Sequence, residues 1–514
     1  MAKKKMKLEI NKQHISLDQL RQVWESPVHI SLGDDARAAV TSAQAEVDKV
    51  LAGGDKVYGV NTGFGQLAEV RISDNELTHL QENLVRSHAV GVGEPLPDPI
   101  VRLIMVMKVI GLARGFSGVR PKLIDALCVL VNHEIYPIIP SKGSVGASGD
   151  LAPLAHMAGV LIGFGNVRYK GNTLSASDAL KEAGLPPVEL APKDGLALLN
   201  GTQVSTGLTL AALFRAEHVL SASLVSGSLS ADAIKGSDTP FDERIHAVRG
   251  HASQIAVAEV LRKLMHGSDI RASHVDCNHV QDPYSIRCQP QVVGACLGVI
   301  RHAAEVLEIE ANAVTDNPLV FAESDAILSG GNFHAEPIAM VADYLAIAIA
   351  EIGALSERRI ALLIDSHLSE LPAFLVADSG LNSGFMMAQV TAAALASENK
   401  TLAHPASVDS IPTSANQEDH VSMATFAGRR LHDMLDNVAY IVAIELLASV
   451  QGVEFHRPKK SSRLLEKSIK QVRAVSAAYA EDRSLSPDIE ALATEINRGE
   501  FCQYGSAILP SFAE

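Results

Sequence analysis

Residues 337–364 read PIAMVADYLAIAIAEIGALSERRIALLI, and this stretch decides the fold class. Its apolar side chains recur at three- and four-residue steps, which is the spacing of one helix face. They are Ile338, Val341, Leu345, Ile349, Ile352 and Leu355. Met340 and Ile347 widen this face, so we expect burial on several sides. Charged residues interrupt the run, which argues against a membrane span and predicts a helix inside a bundle.

Similar long apolar patterns recur along the chain, at residues 207–234, 289–314, 385–404 and 423–450. Hydrophobic residues make up 47% of the chain but aromatic residues only 4%, so small and aliphatic side chains provide the burial. This composition is typical of long packed helices rather than of a β-sandwich. The sequence therefore predicts a mainly α fold. A helix with one face in solvent needs only one apolar face, and these helices have more. The sequence therefore also predicts a bundle that continues across subunits, as a homo-oligomer.

Three regions differ in character along the 514 residues. Residues 1–204 are mixed, with a β-like piece at 7–11 and turn-rich loops at 59–65 and 91–97. Residues 205–455 carry most of the long helical patterns, and residues 456–514 are more polar. We predict a mixed N-terminal region, a central long-helix bundle and a C-terminal helical appendage.

The charge pattern narrows the classes of partner. The net charge is −15, and basic residues cluster only at 3–5 and 457–463, so we expect no nucleic-acid surface. No apolar segment follows the first lysines, and the five cysteines show no paired spacing. These features predict a cytoplasmic protein without a secretory signal and with reduced thiols. His274, Cys277, His279 and Cys288 do not match the usual zinc spacing, so we predict no metal.

The loop at 143–149 reads GSVGASG and has unusual chemical potential. In a tight turn the nitrogen of Gly149 can attack the carbonyl carbon of Ala147. Loss of two waters, one from the Ser148 side chain, then leaves a methylidene-imidazolone ring, which is an electrophile. Gly143 and Gly146 allow the positive φ angles that such a turn needs. Asp150 is a predicted N-cap of the following helix, whose terminal N–H groups would face the oxygen that gains negative charge when the ring is attacked. The alternative is an ordinary glycine-rich turn before a helix.

Several other polar loops carry groups suited to catalysis or binding. The stretch at 58–65 reads YGVNTGFG and places Tyr58 beside a flexible turn, and Ser87-His88 precedes a glycine loop. Asn200 is followed by Gly201, and residues 281–287 read QDPYSIR. Each has a simpler structural interpretation as a turn, a buried histidine or an ordinary ion pair. In the run SANQEDH at 414–420, Ser414 and Gln417 also fit a capping box that starts the next helix.

Taken in order, these strings resemble the histidine ammonia-lyase family. The resemblance rests on the Ala147-Ser148-Gly149 loop and on YGVNTGFG (58–65), SHAVGVG (87–93), LLNGTQ (198–203), QDPYSIRCQPQ (281–291), GGNFHAEP (330–337) and SANQEDH (414–420). It covers about residues 58–450. It implies a helical fold of the fumarase–aspartase type and a homotetramer whose active sites each draw on more than one subunit.

The resemblance also implies a reaction, the conversion of L-histidine to trans-urocanate and ammonia, which is the first step of histidine breakdown. The β C–H bond of an amino acid is a poor acid and its ammonium a poor leaving group, so the reaction needs an electron sink and a placed base. The ring from Ala147, Ser148 and Gly149 would be that sink, with no external cofactor.

Residue roles follow from the same resemblance. Asn200 would steady the ring or the substrate, and Arg287 would clamp the substrate carboxylate. Tyr284 would be the base, and Tyr58 would assist it or act on the amino group. The remaining substrate-binding residues would be His88 and Glu418 at the imidazole, Phe333 at the pocket wall, and Gln281.

Two alternatives to a histidine ammonia-lyase remain open: an enzyme with another substrate, and a protein that is not an enzyme. A tyrosine or phenylalanine ammonia-lyase, or an aminomutase, would use the same electrophile, because His88 could equally bind a tyrosine hydroxyl. The acid Glu418 suits an imidazole N–H better than a bare phenyl ring. A non-catalytic helical oligomer would be expected to have lost Ser148, Tyr284 or Arg287, and all three are present.

Overall fold

A computed structural model describes residues 5–53, 62, 72, 76–274 and 280–512. In chain order the N-terminal elements are β1 Met6–Ile10, α1 Leu17–Glu25, β2 Val28–Leu32, α2 Asp34–Gly53, α3 Leu77–His88, β3 Val92–Pro95, α4 Asp98–Ala113, α5 Pro121–Asn132, β4 Tyr136–Pro137, β5 Pro140–Lys142, α6 Leu151–Leu161, β6 Asn166–Tyr169, β7 Asn172–Ser175, α7 Ala176–Ala183 and α8 Asp194–Leu199. The later elements are α9 Gln203–Ala233, α10 Glu243–Ala247, α11 Ala252–Met265, α12 Asp269–Ala272, α13 Tyr284–Arg287, α14 Gln289–Ala311, β8 Leu319–Phe321, β9 Ala326–Leu328, α15 Glu336–Ile364, α16 Ser366–Ser369, α17 Met386–Leu402, α18 Ala424–Glu454, α19 Arg463–Val475 and α20 Ser486–Asn497. The mainly α prediction is confirmed.

Each long apolar pattern forms a long helix, so the five predicted helices correspond to α9, α14, α15, α17 and α18. The β-like piece at 7–11 is β1, which pairs in parallel with β2. One expectation differs: the turn-rich segment at 91–97 contains β3, which pairs antiparallel with β5. That pairing ties the segment to the chain just before Gly143.

The chain forms two compact units. The first comprises Met1–Ala211, Glu305–Asp343 and Pro405–Arg429, and the second comprises Ala212–Ala304, Tyr344–His404 and Arg430–Glu514. Both are discontinuous in sequence, and the three-region division of the chain stays a prediction.

The first unit is centred on α4, where every residue from 100 to 113 is buried. Helix α4 packs on α1, α2 and α5, and α3, α6 and α8 pack on one another. Short strands form the β4–β6–β7 sheet and the β8–β9 hairpin. Helix α1 begins with a capping box, in which Ser16 and Gln19 satisfy each other's backbone N–H.

The second unit contains an aliphatic core and a buried polar cluster. In α18, Leu431, Leu435, Val438, Val442 and Leu446 are fully buried at three- and four-residue steps.

The polar cluster of this unit surrounds Glu445. Its carboxylate accepts from Ser226 and Ser230 at 2.7 Å each, and from Nη2 of Arg359 at 2.8 Å. The charged side chains of Glu445 and Arg359 are almost completely buried, so these hydrogen bonds offset the large cost of removing the two charges from water.

Two of the described helices, α9 and α15, are long and apolar enough to cross a membrane. In their most apolar windows, 94% and 67% of the residues are buried inside the chain, as in core helices of globular proteins. The outer face of α15 differs from expectation, because Met340 and Ile347 are 60% and 52% exposed rather than buried. Nothing within the described single chain covers this face.

Candidate active site

The loop at 143–149 has positive φ angles at all three of its glycines. Gly143, Gly146 and Gly149 have φ angles of 130°, 64° and 72°, a region that glycine adopts without strain. Ala147 is only 3% exposed. The structure therefore confirms the positive φ angles predicted at Gly143 and Gly146, and Gly149 has one as well.

Two distant segments hold this loop in place. The backbone N–H of Met423 donates to Val145 at 2.9 Å, and the N–H of Ala335 donates to Gly146 at 3.1 Å. The hydroxyl of Ser422 donates to the same Gly146 oxygen at 2.8 Å. The loop is thus fixed by contacts across the first unit rather than by its own turn alone.

The Asn200-Gly201 segment packs directly against Gly149. The N–H of Asp150 donates to the oxygen of Gly201 at 2.8 Å, and Gly149 and Gly201 form a β-bridge. A Cβ on Gly149 would lie 2.4 Å from the nitrogen and oxygen of Gly201. Glycine is therefore required at 149 for close approach as well as for its φ angle.

Asp150 precedes α6 as predicted, but its side chain does not cap that helix. The carboxylate instead accepts from the N–H groups of Val204 and Ser205, at 3.0 and 2.8 Å, at the start of α9. It also accepts from the hydroxyls of Ser144 and Thr425, at 2.8 and 2.7 Å. Asp150 thus occupies the predicted N-cap position of α6, but its carboxylate accepts from the start of α9 instead of from the N–H groups of α6.

Glu418 reaches the hydroxyl of Ser148. The Ser148 Oγ donates to Glu418 Oε1 at 2.6 Å, and Thr413 Oγ1 donates to Oε2 at 2.8 Å. The predicted capping box does not form, because Ser414 and Ala415 adopt positive φ angles and α18 begins only at Ala424. This left-handed turn directs the loop back towards Ser148.

His88 ends α3 with a defined tautomer. Its Nδ1 lies 2.8 Å from the carbonyl oxygen of Leu84, an acceptor only, so Nδ1 carries the proton and Nε2 is left as an acceptor. Burial lowers the pKa of His88, while the charge of Glu418 acts in the opposite direction. The neutral imidazole is therefore favoured.

The turn after His88 is held by a second histidine that sequence reasoning did not select. The N–H of Gly91 donates to His156 Nε2 at 3.1 Å, and a Cβ on Gly143 would lie 3.1 Å from the Cα of Gly91. His156 thus connects this turn to α6.

Asn200 and Phe333 are the remaining predicted site residues that the structure describes in the first unit. The Asn200 N–H donates to Leu196 at 2.8 Å, and its oxygen accepts from the buried ammonium of Lys108 at 2.7 Å. The side-chain Oδ1 of Asn200 is buried and has no partner among the described residues. Phe333 is half-buried beside His334, whose ring stacks on that of His420 at 5.8 Å between centroids.

Tyr284 and Arg287 belong to the second unit, where they lie at the two ends of the one-turn helix α13. The Arg287 guanidinium carbon is 4.6 Å from the centre of the Tyr284 ring, and Tyr284 is 70% exposed. Nε of Arg287 has no partner among the described residues. A cavity of about 560 Å³ is lined by Arg287 and Gln281, together with Lys235, Arg271, His274 and Asp282.

Some predicted residues lie outside the described residues. These are Tyr58, and Cys277 and His279 of the rejected zinc set. Within the described part of the chain, no three His, Cys, Asp or Glu side chains are grouped so that they could hold a metal ion.

Comparisons with known proteins give a consistent result. A histidine ammonia-lyase of Desulfotalea psychrophila is 59% identical over 98% of this chain and 99% of its own. The structure of histidine ammonia-lyase from Trypanosoma cruzi has a TM-score of 0.90 and 40% identity, and covers 98% of this chain and 96% of its own. Tyrosine aminomutase from Streptomyces globisporus has a TM-score of 0.92 and 34% identity, over 99% and 100%. The family model for aromatic amino acid lyases matches residues 15–474, and the chain belongs to that family.

Proposed function

We propose that this chain is a carbon–nitrogen lyase that eliminates ammonia from L-histidine and releases trans-urocanate. Relatives named histidine ammonia-lyase are 57–59% identical over nearly the whole chain. The structural relative with that name is 40% identical, against 34% for the tyrosine aminomutase. Identity therefore favours histidine over the tyrosine and phenylalanine alternatives.

The contact between Ser148 and Glu418 is the observation that carries this proposal. It brings a carboxylate to 2.6 Å from the hydroxyl whose loss would create the electrophile. A carboxylate there can accept a hydrogen bond from an imidazole N–H, whereas a phenyl ring offers no such donor. His88, neutral and with Nε2 as an acceptor, is a second group suited to an imidazole.

The residues at 147–149 fit a methylidene-imidazolone group. Support comes from the positive φ of Gly149, from the space that only glycine leaves beside Gly201, and from the burial of Ala147. When formed, the group supplies the electron sink for the elimination. Asn200, with its free Oδ1, would orient the ring or the substrate.

The side chains of α13 supply binding and proton transfer in this proposal. Arg287 would hold the substrate carboxylate through a bidentate pair, and its unpartnered Nε leaves donor capacity for one. Tyr284 would take the β proton, with Tyr58 assisting, and Gln281 and Phe333 would line the pocket. The exposure of Tyr284 fits a site that another subunit completes.

A homotetramer is part of the same proposal. Its support is the uncovered apolar face of α15, where Met340, Tyr344 and Ile347 are 60%, 47% and 52% exposed. Met387 and Val390 on α17 are 64% and 47% exposed as well. Buried apolar surface stabilises subunit contacts, so these faces are suited to other copies of the chain.

Ultraviolet absorbance of the purified protein with L-histidine, L-tyrosine or L-phenylalanine tests the function. We expect the conjugated acrylate product from histidine alone. A cinnamate-type product from tyrosine or phenylalanine would instead assign the chain to the aromatic alternatives. Ser148→Ala is the matched control, because it removes the eliminable hydroxyl and should abolish turnover without unfolding the chain.

A further inference from the structure

Lys108 is a charged residue inside an apolar helix. Residues 100–113 of α4 are all buried, and only Arg102 and Lys108 among them are charged. Lys108 is 2% exposed. A lysine in such a place needs polar partners, because an unpaired buried charge is strongly unfavourable.

Those partners lie on the segment that carries Asn200. The Lys108 ammonium donates to the carbonyl oxygen of Asn200 at 2.7 Å and to that of Ala197 at 3.1 Å. Both oxygens belong to the C-terminal end of α8, where helix carbonyls lack intrahelical partners and the helix dipole favours a cation. The lysine thus completes a helix end that leads directly into the candidate active site.

The peptide that Lys108 anchors is joined to two groups that matter for the proposed chemistry, the Asn200 side chain and Gly201. The Asn200 side chain keeps Oδ1 free of any partner among the described residues. The next residue, Gly201, packs on Gly149 and accepts from the N–H of Asp150 at 2.8 Å. A small displacement of the Asn200 peptide would therefore move both the free amide and the surface on which the 147–149 loop rests.

The surrounding charges indicate that Lys108 is not simply half of an ion pair. Of the two carboxylates whose charge acts on Lys108, Asp316 is already bonded to Lys193 at 2.7 Å. Burial lowers the pKa of Lys108 to about 7, an effect that Lys193 reinforces and that Asp316 and Asp150 oppose. Its direct bonds, among the described residues, go to the two carbonyl oxygens.

We propose that Lys108 is a positioning residue for the elimination, acting through the peptide of Asn200 to keep the Asn200 amide aimed at the reacting groups. The inference rests on the proposed function for its reaction. It assigns Lys108 no contact with the substrate or with the ring.

A double-mutant cycle tests it, using Lys108→Met, Asn200→Ala and the double variant of the full chain. With Asn200 present, we expect Lys108→Met to lower kcat about 10- to 100-fold and to change KM less than about threefold. In the Asn200→Ala background the same change should lower kcat less than about threefold, because the group it positions is gone. Equal losses of kcat in both backgrounds would overturn the inference.

Arg102→Met is the matched control for the loss of a buried cation from the same helix. Arg102 donates to the backbone oxygens of Val23 and Trp24, at the other end of α4, and should leave kcat within about twofold of wild type. A fall in kcat equal to that of Lys108→Met would show that any buried cation on α4 is needed, which refutes the assignment.

Two further measures keep the outcome decisive. If Lys108→Met does not fold, Lys108→Leu, which also lacks an N–H donor, replaces it in the cycle under the same criterion. Wild-type product from L-histidine is measured first. If product forms only from tyrosine or phenylalanine, the proposed function fails, and the cycle is run on that amino acid, where the ratio of the two losses still decides the role of Lys108.

Discussion

Replacing Asp150 should cost more stability than any other single change in the loop region. Its carboxylate is fully buried and accepts five hydrogen bonds. Three come from the N–H groups of Val204 and Ser205 and the Ser205 hydroxyl, and two from Ser144 and Thr425. The negative charge also lies at the N-terminus of α9, where a helix dipole favours it.

The magnitude follows from the groups left without an acceptor. In Asp150→Ala the two N–H groups at the start of α9 lose theirs, at about 1–3 kcal/mol each. The hydroxyls can rotate towards other acceptors, so we assign them no cost. Adding roughly 1 kcal/mol for the dipole gives a loss of about 3–7 kcal/mol. Asp150→Asn keeps one oxygen for the N–H groups and loses mainly the charge, about 1–3 kcal/mol.

Urea unfolding followed by circular dichroism measures both losses, as the shift in midpoint multiplied by the slope. Asp178 on α7 is the control, because it is exposed and its carboxylate accepts from Ser175. Asp178→Ala should change stability by no more than about 0.5 kcal/mol. A loss below about 1 kcal/mol in Asp150→Ala, or an Asn variant less stable than the Ala variant, would refute the assignment of the α9 cap to Asp150.

Four further outcomes are expected. The pKa of Lys108 is about 7 in the folded chain and 10.5 for the free side chain, so between these pH values the unfolded chain holds one more proton at this residue. The free energy of unfolding of wild type should therefore rise with pH in this window, by roughly 1.4 kcal/mol per pH unit relative to Lys108→Met, as measured by urea unfolding. Burial lowers the pKa of His156, whose Nε2 accepts from the Gly91 N–H. At a pH below the usual histidine range, protonation of His156 removes this acceptor, so steady-state kinetics should show a rise in KM for wild type but not for His156→Gln. Tyr284→Phe should lower kcat about 100- to 10,000-fold with little change in KM, and a change confined to KM would place the base elsewhere. Arg287→Ala should raise KM roughly 10- to 100-fold through loss of a charge-assisted contact, and unchanged KM would reject the clamp.

Local patterns predicted the helices well, because a helix face is encoded within a few residues. The stretch at 337–364 forms α15, Glu336–Ile364, almost residue for residue. What the pattern could not distinguish is the partner of each face. Met340 and Ile347 are as apolar as Ile338, yet they are exposed in the single chain while Ile338 is fully buried. The spacing alone therefore predicts an apolar face without showing whether the same chain or another copy covers it.

The site depended on contacts that no local rule contains. Ser148 and Glu418 are 270 residues apart, and the turn that joins them uses positive φ angles at Ser414 and Ala415, neither a residue that favours that conformation. The local rule predicted a capping box there. The resemblance predicted Glu418 as a site residue, but only the fold shows its carboxylate against the Ser148 hydroxyl.

Asp150 and Lys108 show why the supporting residues were harder to find than the reacting ones. An aspartate before a helix predicts an N-cap, and a lysine in an apolar helix is expected to extend its amine to the surface. In the fold, each instead satisfies the end of another helix: Asp150 the N-terminus of α9, and Lys108 the C-terminus of α8. These two helix ends flank the Asn200-Gly201 segment on which Gly149 packs. The two side chains thus satisfy opposite helix ends on either side of the segment against which Gly149 packs.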